Sequence, residues 1–79
     1  MDKKIKVSIV GGSGYTGIEL LRLLSLHPNV EILHITSRND TGRFVCDIYP
    51  SLRGVLSHKF VNPDDIDLKD SNLVFFATP

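Results

Sequence analysis

The chain has 79 residues, 42% of them hydrophobic and 23% charged, which is ordinary for a soluble globular segment of one domain at most. Nine basic side chains balance nine acidic ones, which argues against binding to nucleic acid, and no apolar run approaches the roughly 18 residues that a bilayer span requires. We therefore expect no nucleic acid and no membrane as partners, and a cytoplasmic location that the single cysteine, Cys46, also favours.

The first half of the sequence predicts a strand, a glycine turn, a helix and a second strand. Residues Ile5–Val10 are rich in β-branched side chains and are followed by glycine, which indicates a strand. Polar residues recur at every third place over residues 15–27, which is typical of a helix with a broad buried face, and Pro28 ends it. A second strand is predicted over Val30–Thr36. Together these elements form a βαβ unit with parallel strands.

The second half predicts a long loop and one more buried strand. Residues 37–57 are loop-like, with one helical turn near residues 44–48, and residues 59–61 are expected to form a short third strand. The polar connection over residues 62–70 opens with an asparagine cap and a proline at the first helical position. Residues 72–77 are apolar on both faces, which is typical of a buried parallel strand.

This order of elements predicts an α/β fold, a Rossmann-like doubly wound parallel sheet of which residues 1–79 supply the N-terminal part. A strand apolar on both sides needs a covering layer on each face of the sheet, and the acidic connection offers little cover. We expect the missing cover to lie outside this chain.

The glycine turn between the first strand and the helix carries the main functional signal. It fits Gly-x-Gly-x-x-Gly from Gly12 or Gly-x-x-Gly-x-x-Gly from Gly11, and both patterns let a backbone approach a diphosphate at a helix N-terminus. A tight turn without a ligand is the alternative, and for Tyr15 and Thr16 a capping or core role is equally open. The residues predicted to contact a dinucleotide here are Gly11, Gly12, Ser13, Gly14, Tyr15, Thr16 and Gly17.

The end of the second strand indicates which dinucleotide is bound. An acidic residue commonly binds the ribose hydroxyls about 20 residues after the glycines, but Ser37 and Arg38 stand there. A hydroxyl and a guanidinium suit a 2′-phosphate, so we predict NADP(H) rather than NAD(H). Asp40 as a ribose ligand, and Arg38 as a solvated loop charge, are the alternatives.

The last strand ends beside the predicted cofactor groove. We expect it to lie next to the first strand, at the switch point where ligands bind. The residues expected to line the groove are Ala77, Thr78 and Pro79. A strand that proline simply terminates is the alternative.

With these residues in place, the chain resembles the N-terminal region of the N-acetyl-gamma-glutamyl-phosphate reductase family. The segments that carry the resemblance are VGGSGYTGIELLRLL, HPNVEI, TSRNDTGRFVCDIYPSLRG and LVFFATP, with one departure at Gly12, where the family more often has alanine. The resemblance implies an NADPH-dependent reduction of an acyl phosphate to an aldehyde in arginine biosynthesis. It also implies NADP contacts from the glycine turn, Ser37 and Arg38, and a cysteine nucleophile in a substrate and catalytic domain well beyond residue 79. The chain alone is therefore expected to show no turnover. We expect the full-length enzyme to be a homo-oligomer.

The remaining reactive side chains are not expected to perform chemistry. Cys46 lies in the loop after the second strand and is interpreted as a structural thiol, and no catalytic residue is assigned in this chain. No metal site is predicted, because the three histidines lack ligand spacing and the aspartates form a solvated run. The histidines are His27, His34 and His58, and the aspartates are Asp64, Asp65, Asp67 and Asp70.

Other functions fit parts of the pattern. A related reductase of lysine biosynthesis and aspartate-semialdehyde dehydrogenase share the chemistry. A non-catalytic NADP-binding regulatory module and an extended short-chain dehydrogenase share the glycine turn. A downstream Tyr-x-x-x-Lys pair would indicate the last of these.

Overall fold

Three parallel strands form one sheet in the computed structural model, which describes residues 4–11 and 15–77. The strands are β1 (Ile5–Val10), β2 (Val30–Thr36) and β3 (Leu73–Phe76), in the order β2-β1-β3. Helix α1 (Tyr15–Ser25) connects β1 to β2, so the predicted βαβ unit and the α/β fold class are confirmed. Both strands of this unit have the predicted bounds. The helix ends two residues earlier than predicted, because turn geometry begins at Leu26.

Short helices interrupt the long connection between β2 and β3. They are α2 (Val45–Ile48) and three 3₁₀ turns, Pro50–Leu52, Pro63–Asp65 and Leu68–Asp70. The predicted asparagine cap is present, since the Asp64 N–H donates to Asn62 Oδ1 at 2.9 Å. No helix among the described residues is both long and apolar enough to cross a bilayer.

The predicted strand over residues 59–61 is wrong, because this segment forms two isolated bridges instead. Lys59 pairs antiparallel with Phe44, and Val61 pairs parallel with Thr36. The Val61 N–H donates to the Ile35 carbonyl at 3.0 Å and the Val61 carbonyl accepts from the Ser37 N–H at 3.1 Å. One residue therefore extends the β2 edge of the sheet, directly beside the end of β2.

The core lies between the sheet, the helix and the long connection. Leu21 of α1 is fully buried, but Leu23 is exposed because it lies about 200° further around the helix. The buried face of α1 is thus narrower than predicted. The buried apolar side chains are Val7, Ile9, Leu21, Ile32, Ile35, Val45, Leu52, Leu56, Phe60 and Ala77.

Strand β3 has exposed apolar side chains. Leu73 is 48% and Phe76 71% exposed, and residues three apart in a strand lie on opposite faces of the sheet. The described residues thus leave both faces of β3 partly uncovered, and the expectation that its covering layers lie outside this chain stays a prediction. The strand lies at an edge of the sheet, where it pairs with β1 on one side. Its predicted place next to β1 is confirmed.

Candidate functional site

The carboxyl ends of all three strands meet at one edge of the sheet. Val10 at the end of β1 pairs with Thr36 at the end of β2 and with Phe76 at the end of β3. The residues that follow these strands are Gly11, Ser37 and Ala77. The structure therefore brings together one predicted site residue from each of three separate stretches of sequence, at the edge where parallel sheets bind ligands.

Gly11 begins the turn in a conformation that favours glycine. Its φ is +83°, in the left-handed region that a side chain disfavours. Its N–H donates to Thr36 Oγ1 at 3.2 Å, and Thr36 is almost completely buried. A hydroxyl at the end of β2 thus fixes the direction in which the chain leaves β1.

Thr36 is a site residue that the sequence reasoning missed. A hydroxyl at the carboxyl end of an apolar strand was the available signal. The pattern alone treated Thr36 as the last residue of a strand. Its contact with Gly11 spans 25 residues and depends on the register between β1 and β2.

The remaining turn residues are described only in part. Thr16 is exposed in the first turn of α1, and Gly17 is buried there. Ala77 is buried, and its N–H donates to the Val10 carbonyl at 2.9 Å. The predicted site residues that lie outside the described residues are Gly12, Ser13, Gly14, Thr78 and Pro79, together with the side chain of Tyr15.

Ser37 and Asp40 form a compact polar turn after β2. Ser37 is 5% exposed, and its hydroxyl donates to Asp40 Oδ2 at 3.4 Å while accepting from the Asp40 N–H at 3.3 Å. The Thr41 hydroxyl donates to the Ser37 carbonyl at 2.6 Å. The Ser37 hydroxyl is therefore engaged within the turn, and its first role in the structure is to shape the backbone before Arg38.

The carboxylate of Asp40 also interacts within this loop. It lies 3.8 Å from the Arg43 guanidinium. Burial, and secondarily the negative charge of Asp40, raises the pKa of Tyr49. Asp40 thus takes part in the local contacts that hold this loop.

Arg38 forms a two-point ion pair with Asp64. Arg38 Nη1 lies 3.0 Å from Asp64 Oδ2, and Nη2 lies 3.3 Å from Oδ1. The two side chains are 65% and 70% exposed. The hydrogen bond and the charge of Asp64 raise the pKa of Arg38, and the same contacts lower the pKa of Asp64.

This ion pair shows that Arg38 presents two parallel N–H groups to a pair of anionic oxygens. Such a fork fits a phosphate as well as a carboxylate. The chain therefore carries an exposed anion-binding group two residues after Thr36, at the predicted adenosine end of the groove. Asp64 had no local signal in the sequence, where it was interpreted only as one member of a solvated acidic run.

The other reactive side chains lie away from these strand ends. Cys46 is half-buried and lines a cleft of about 440 Å³ with Phe44, Val55 and Leu56, and none of the predicted site residues line this cleft. His58 Nε2 contacts the Ile32 carbonyl at 2.7 Å, a structural role. Among residues 4–11 and 15–77, no group of three or more histidine, cysteine or acidic side chains could hold a metal ion.

Comparison with known proteins gives a consistent result. A relative from Neisseria meningitidis named N-acetyl-gamma-glutamyl-phosphate reductase is 57% identical over all 79 residues. Relatives of the same name from Aromatoleum aromaticum and Bordetella pertussis are each 56% identical, over 95% and 99% of the chain. The chain spans only 22–23% of the length of these relatives.

A family model described as "semialdehyde dehydrogenase, NAD binding domain" matches residues 6–79. The match covers β1 from its second residue, the whole of β2 and β3, the glycine turn and the residues that follow β2. It agrees with the open parallel sheet. The chain belongs to the semialdehyde dehydrogenase family of NAD-binding domains.

Proposed function

We propose that this chain is the cofactor-binding segment of an N-acetyl-gamma-glutamyl-phosphate reductase that uses NADPH. The observation that supports the reaction is the 56–57% identity, over nearly the whole chain, to relatives that carry this name. These names favour this reductase over the lysine-pathway reductase and aspartate-semialdehyde dehydrogenase. They also favour an enzyme over a regulatory module.

The proposed reaction divides between this segment and the rest of the enzyme. When bound, the nicotinamide cofactor supplies the hydride that reduces the acyl group to an aldehyde as phosphate leaves. The residues of this chain bind and orient it. Gly11, which begins the turn, has no side chain, and the N-terminus of α1 favours the negative charge of a diphosphate.

The choice of NADPH rests on Arg38. Its guanidinium already engages two carboxylate oxygens of Asp64, in the geometry that a phosphate monoester would also accept. Asp40 is the acidic alternative, and its carboxylate is engaged with Ser37 and lies near Arg43. We assign the 2′-phosphate to Arg38, with the buried Ser37 holding the backbone that presents it. We further propose a small acyl-phosphate substrate, a homo-oligomeric enzyme and a cytoplasmic location.

Replacing Arg38 with alanine in the full-length reductase tests this assignment. Because charge-assisted hydrogen bonds contribute about 1.5–3 kcal/mol, we expect the Kd for NADPH to rise roughly 10- to 100-fold. The Kd for NADH should change less than about twofold, since NADH carries no 2′-phosphate. Fluorescence titration with each cofactor measures both constants.

The matched control is Arg53→Ala. Arg53 is an exposed arginine after a different turn, and its side chain forms no hydrogen bond or ion pair with the described residues. This variant should bind both cofactors like the wild type. Equal losses of NADPH and NADH affinity in Arg38→Ala would contradict the 2′-phosphate assignment. Failure of the wild type to couple NADPH consumption to phosphate release from N-acetyl-gamma-glutamyl phosphate would contradict the proposed reaction.

A further inference from the structure

Asp64 accepts hydrogen bonds from the two N–H groups of Arg38 that, in the proposed function, bind the 2′-phosphate of NADPH. Both contacts are within hydrogen-bond distance, at 3.0 and 3.3 Å. We propose that Asp64 is a specificity-determining residue that competes with the 2′-phosphate of NADPH for Arg38 and thereby limits the preference for NADPH over NADH. This inference rests on the proposed function, in which Arg38 receives the 2′-phosphate.

The position of Asp64 is fixed independently of Arg38. It lies in the 3₁₀ turn Pro63–Asp65, where its N–H donates to Asn62 Oδ1 at 2.9 Å. The turn follows Val61, whose carbonyl accepts from the Ser37 N–H at 3.1 Å. The backbone that carries the carboxylate is thus attached to the backbone that carries the guanidinium. Asp64 also has a short side chain, so its charge stays near Arg38 when Arg38 takes another partner.

The competition follows from the chemistry of the two anions. A carboxylate and a phosphate monoester each offer two oxygens to the same guanidinium fork. A 2′-phosphate that displaces Asp64 must break the existing ion pair. One that binds beside Asp64 approaches a carboxylate held on the same guanidinium and is repelled by it. Both arrangements lower the affinity for NADPH. NADH is unaffected, because it has no 2′-phosphate that competes with Asp64 for Arg38.

Asp64→Asn in the full-length reductase tests the proposal, because asparagine keeps the shape and removes the charge. We expect the Kd for NADPH to fall about two- to fivefold, the size of effect that an exposed ion pair produces. The Kd for NADH should be unchanged. The adenosine-end fragments 2′,5′-ADP and 5′-AMP should show the same contrast. The gain should shrink in high salt, where the interaction of exposed charges is screened.

Asp65→Asn is the matched control. It removes the same charge from the same 3₁₀ turn, and the Asp65 side chain forms no hydrogen bond or ion pair with Arg38 or another described residue. It should leave the NADPH-to-NADH ratio within error of the wild type. A double variant, Arg38→Ala with Asp64→Asn, distinguishes competition for Arg38 from the general effect of removing a negative charge near the cofactor. In that background the Asp64 substitution should change NADPH affinity much less than it does when Arg38 is present.

The outcomes distinguish this inference from the proposed function. Unchanged or weaker NADPH binding in Asp64→Asn, with selective loss in Arg38→Ala, overturns the role of Asp64 alone. An equal gain for NADH, or an equal gain in Asp65→Asn, also overturns it. Equal losses of both cofactors in Arg38→Ala overturn the 2′-phosphate assignment itself. Unfolding curves of each variant show that the binding changes are not losses of folded protein.

Discussion

Thr36 and Arg38 are two residues apart at the end of β2, yet their environments are opposite. Thr36 is buried and accepts the Gly11 N–H, whereas Arg38 is 65% exposed and paired with another exposed side chain. The buried residue fixes backbone positions in the sheet, and the exposed one can exchange one anionic partner for another. Framework and recognition are thus separate at this site. Substitutions in the framework should change stability, and those at the ion pair should change ligand discrimination.

The framework extends from β2 into the segment over residues 59–61. Phe60 is 1% exposed, its N–H donates to the Arg43 carbonyl at 2.9 Å, and its carbonyl accepts from the Gly42 N–H at 2.8 Å. Its neighbour Val61 bonds to the end of β2. This segment therefore anchors the loop after β2 to the sheet, and it leads directly into the turn that carries Asp64.

The largest effect is expected from Phe60→Ala. Removing a fully buried phenylalanine side chain leaves a cavity and costs about 3–5 kcal/mol of unfolding free energy. Urea unfolding of the full-length protein measures the loss. Phe44→Ala is the comparison, because Phe44 is 41% exposed and packs beside Lys59. Its loss should be less than half as large, and equal losses would mean that the loop is not anchored through Phe60.

A smaller effect is expected from His58→Ala, which tests how the bulge in β2 is stabilised. The β1–β2 register shifts opposite Val7 and Ser8, and His58 Nε2 lies 2.7 Å from the carbonyl of Ile32 at this point. The alanine variant leaves that carbonyl without its donor, which costs about 1–3 kcal/mol where the group is buried. Thermal or urea unfolding measures the loss. His58→Gln keeps a side-chain N–H donor and should recover part of the stability; no recovery would point to packing instead.

Thr36→Val tests whether the buried residue Thr36 affects stability and the binding of both cofactors, in contrast to the exposed Arg38. Valine keeps the shape and β-branching of threonine but cannot accept the Gly11 N–H, so we expect a loss of about 1 kcal/mol in stability. In the proposed function, the glycine turn contacts parts that both dinucleotides share. NADPH and NADH affinity should therefore fall together, severalfold, in contrast to the selective loss in Arg38→Ala. Thr36→Ser, which retains the hydroxyl, should restore binding of both, and a selective loss of NADPH alone would contradict the division.

The sequence predicted the parts of the fold that depend on local pattern. Strands Ile5–Val10 and Val30–Thr36 were predicted with their observed bounds, because each has a run of β-branched residues and a clear stop. The segment over residues 59–61 was predicted wrongly as a strand. Its single bridges depend on which elements lie beside it, which no local pattern contains. The exposure of Phe76 likewise depends on what covers its face of the sheet.

The site divides in the same way. The sequence predicts Gly11 from the glycine pattern, Ser37 from its spacing after the glycines and Ala77 from the switch-point rule, and the structure brings all three to one edge. It gave no indication of Asp64, because the contact with Arg38 joins residues 26 positions apart through a turn of irregular structure. Charge alone cannot identify such a partner. The position of the 3₁₀ turn beside β2 was needed.

The smallest effect on stability is expected from breaking the ion pair between Arg38 and Asp64. The titration of Asp64 tests this ion pair most directly. The hydrogen bond from Arg38, and then its charge, holds the pKa of Asp64 below the usual aspartate range. Since this pKa is lower in the folded state than in the unfolded one, the pair stabilises the fold above the unfolded pKa and loses that contribution as the pH falls through the folded value. Both side chains are largely exposed, so the thermal midpoint at neutral pH should change little in Arg38→Ala.

Carboxyl NMR of the wild type and Arg38→Ala checks this directly. The midpoint of Asp64 should rise to the ordinary aspartate range in the variant, because the hydrogen bond and the positive charge are both removed. Binding of 2′,5′-ADP to the wild type should shift the Asp64 midpoint upward as well, since the phosphate takes Arg38 from it and adds negative charge nearby. An Asp64 midpoint that responds to neither change would mean that the two side chains do not meet in solution. Competition between Asp64 and the 2′-phosphate for Arg38 would then have no physical basis, while the buried contact of Thr36 with Gly11 would be unaffected.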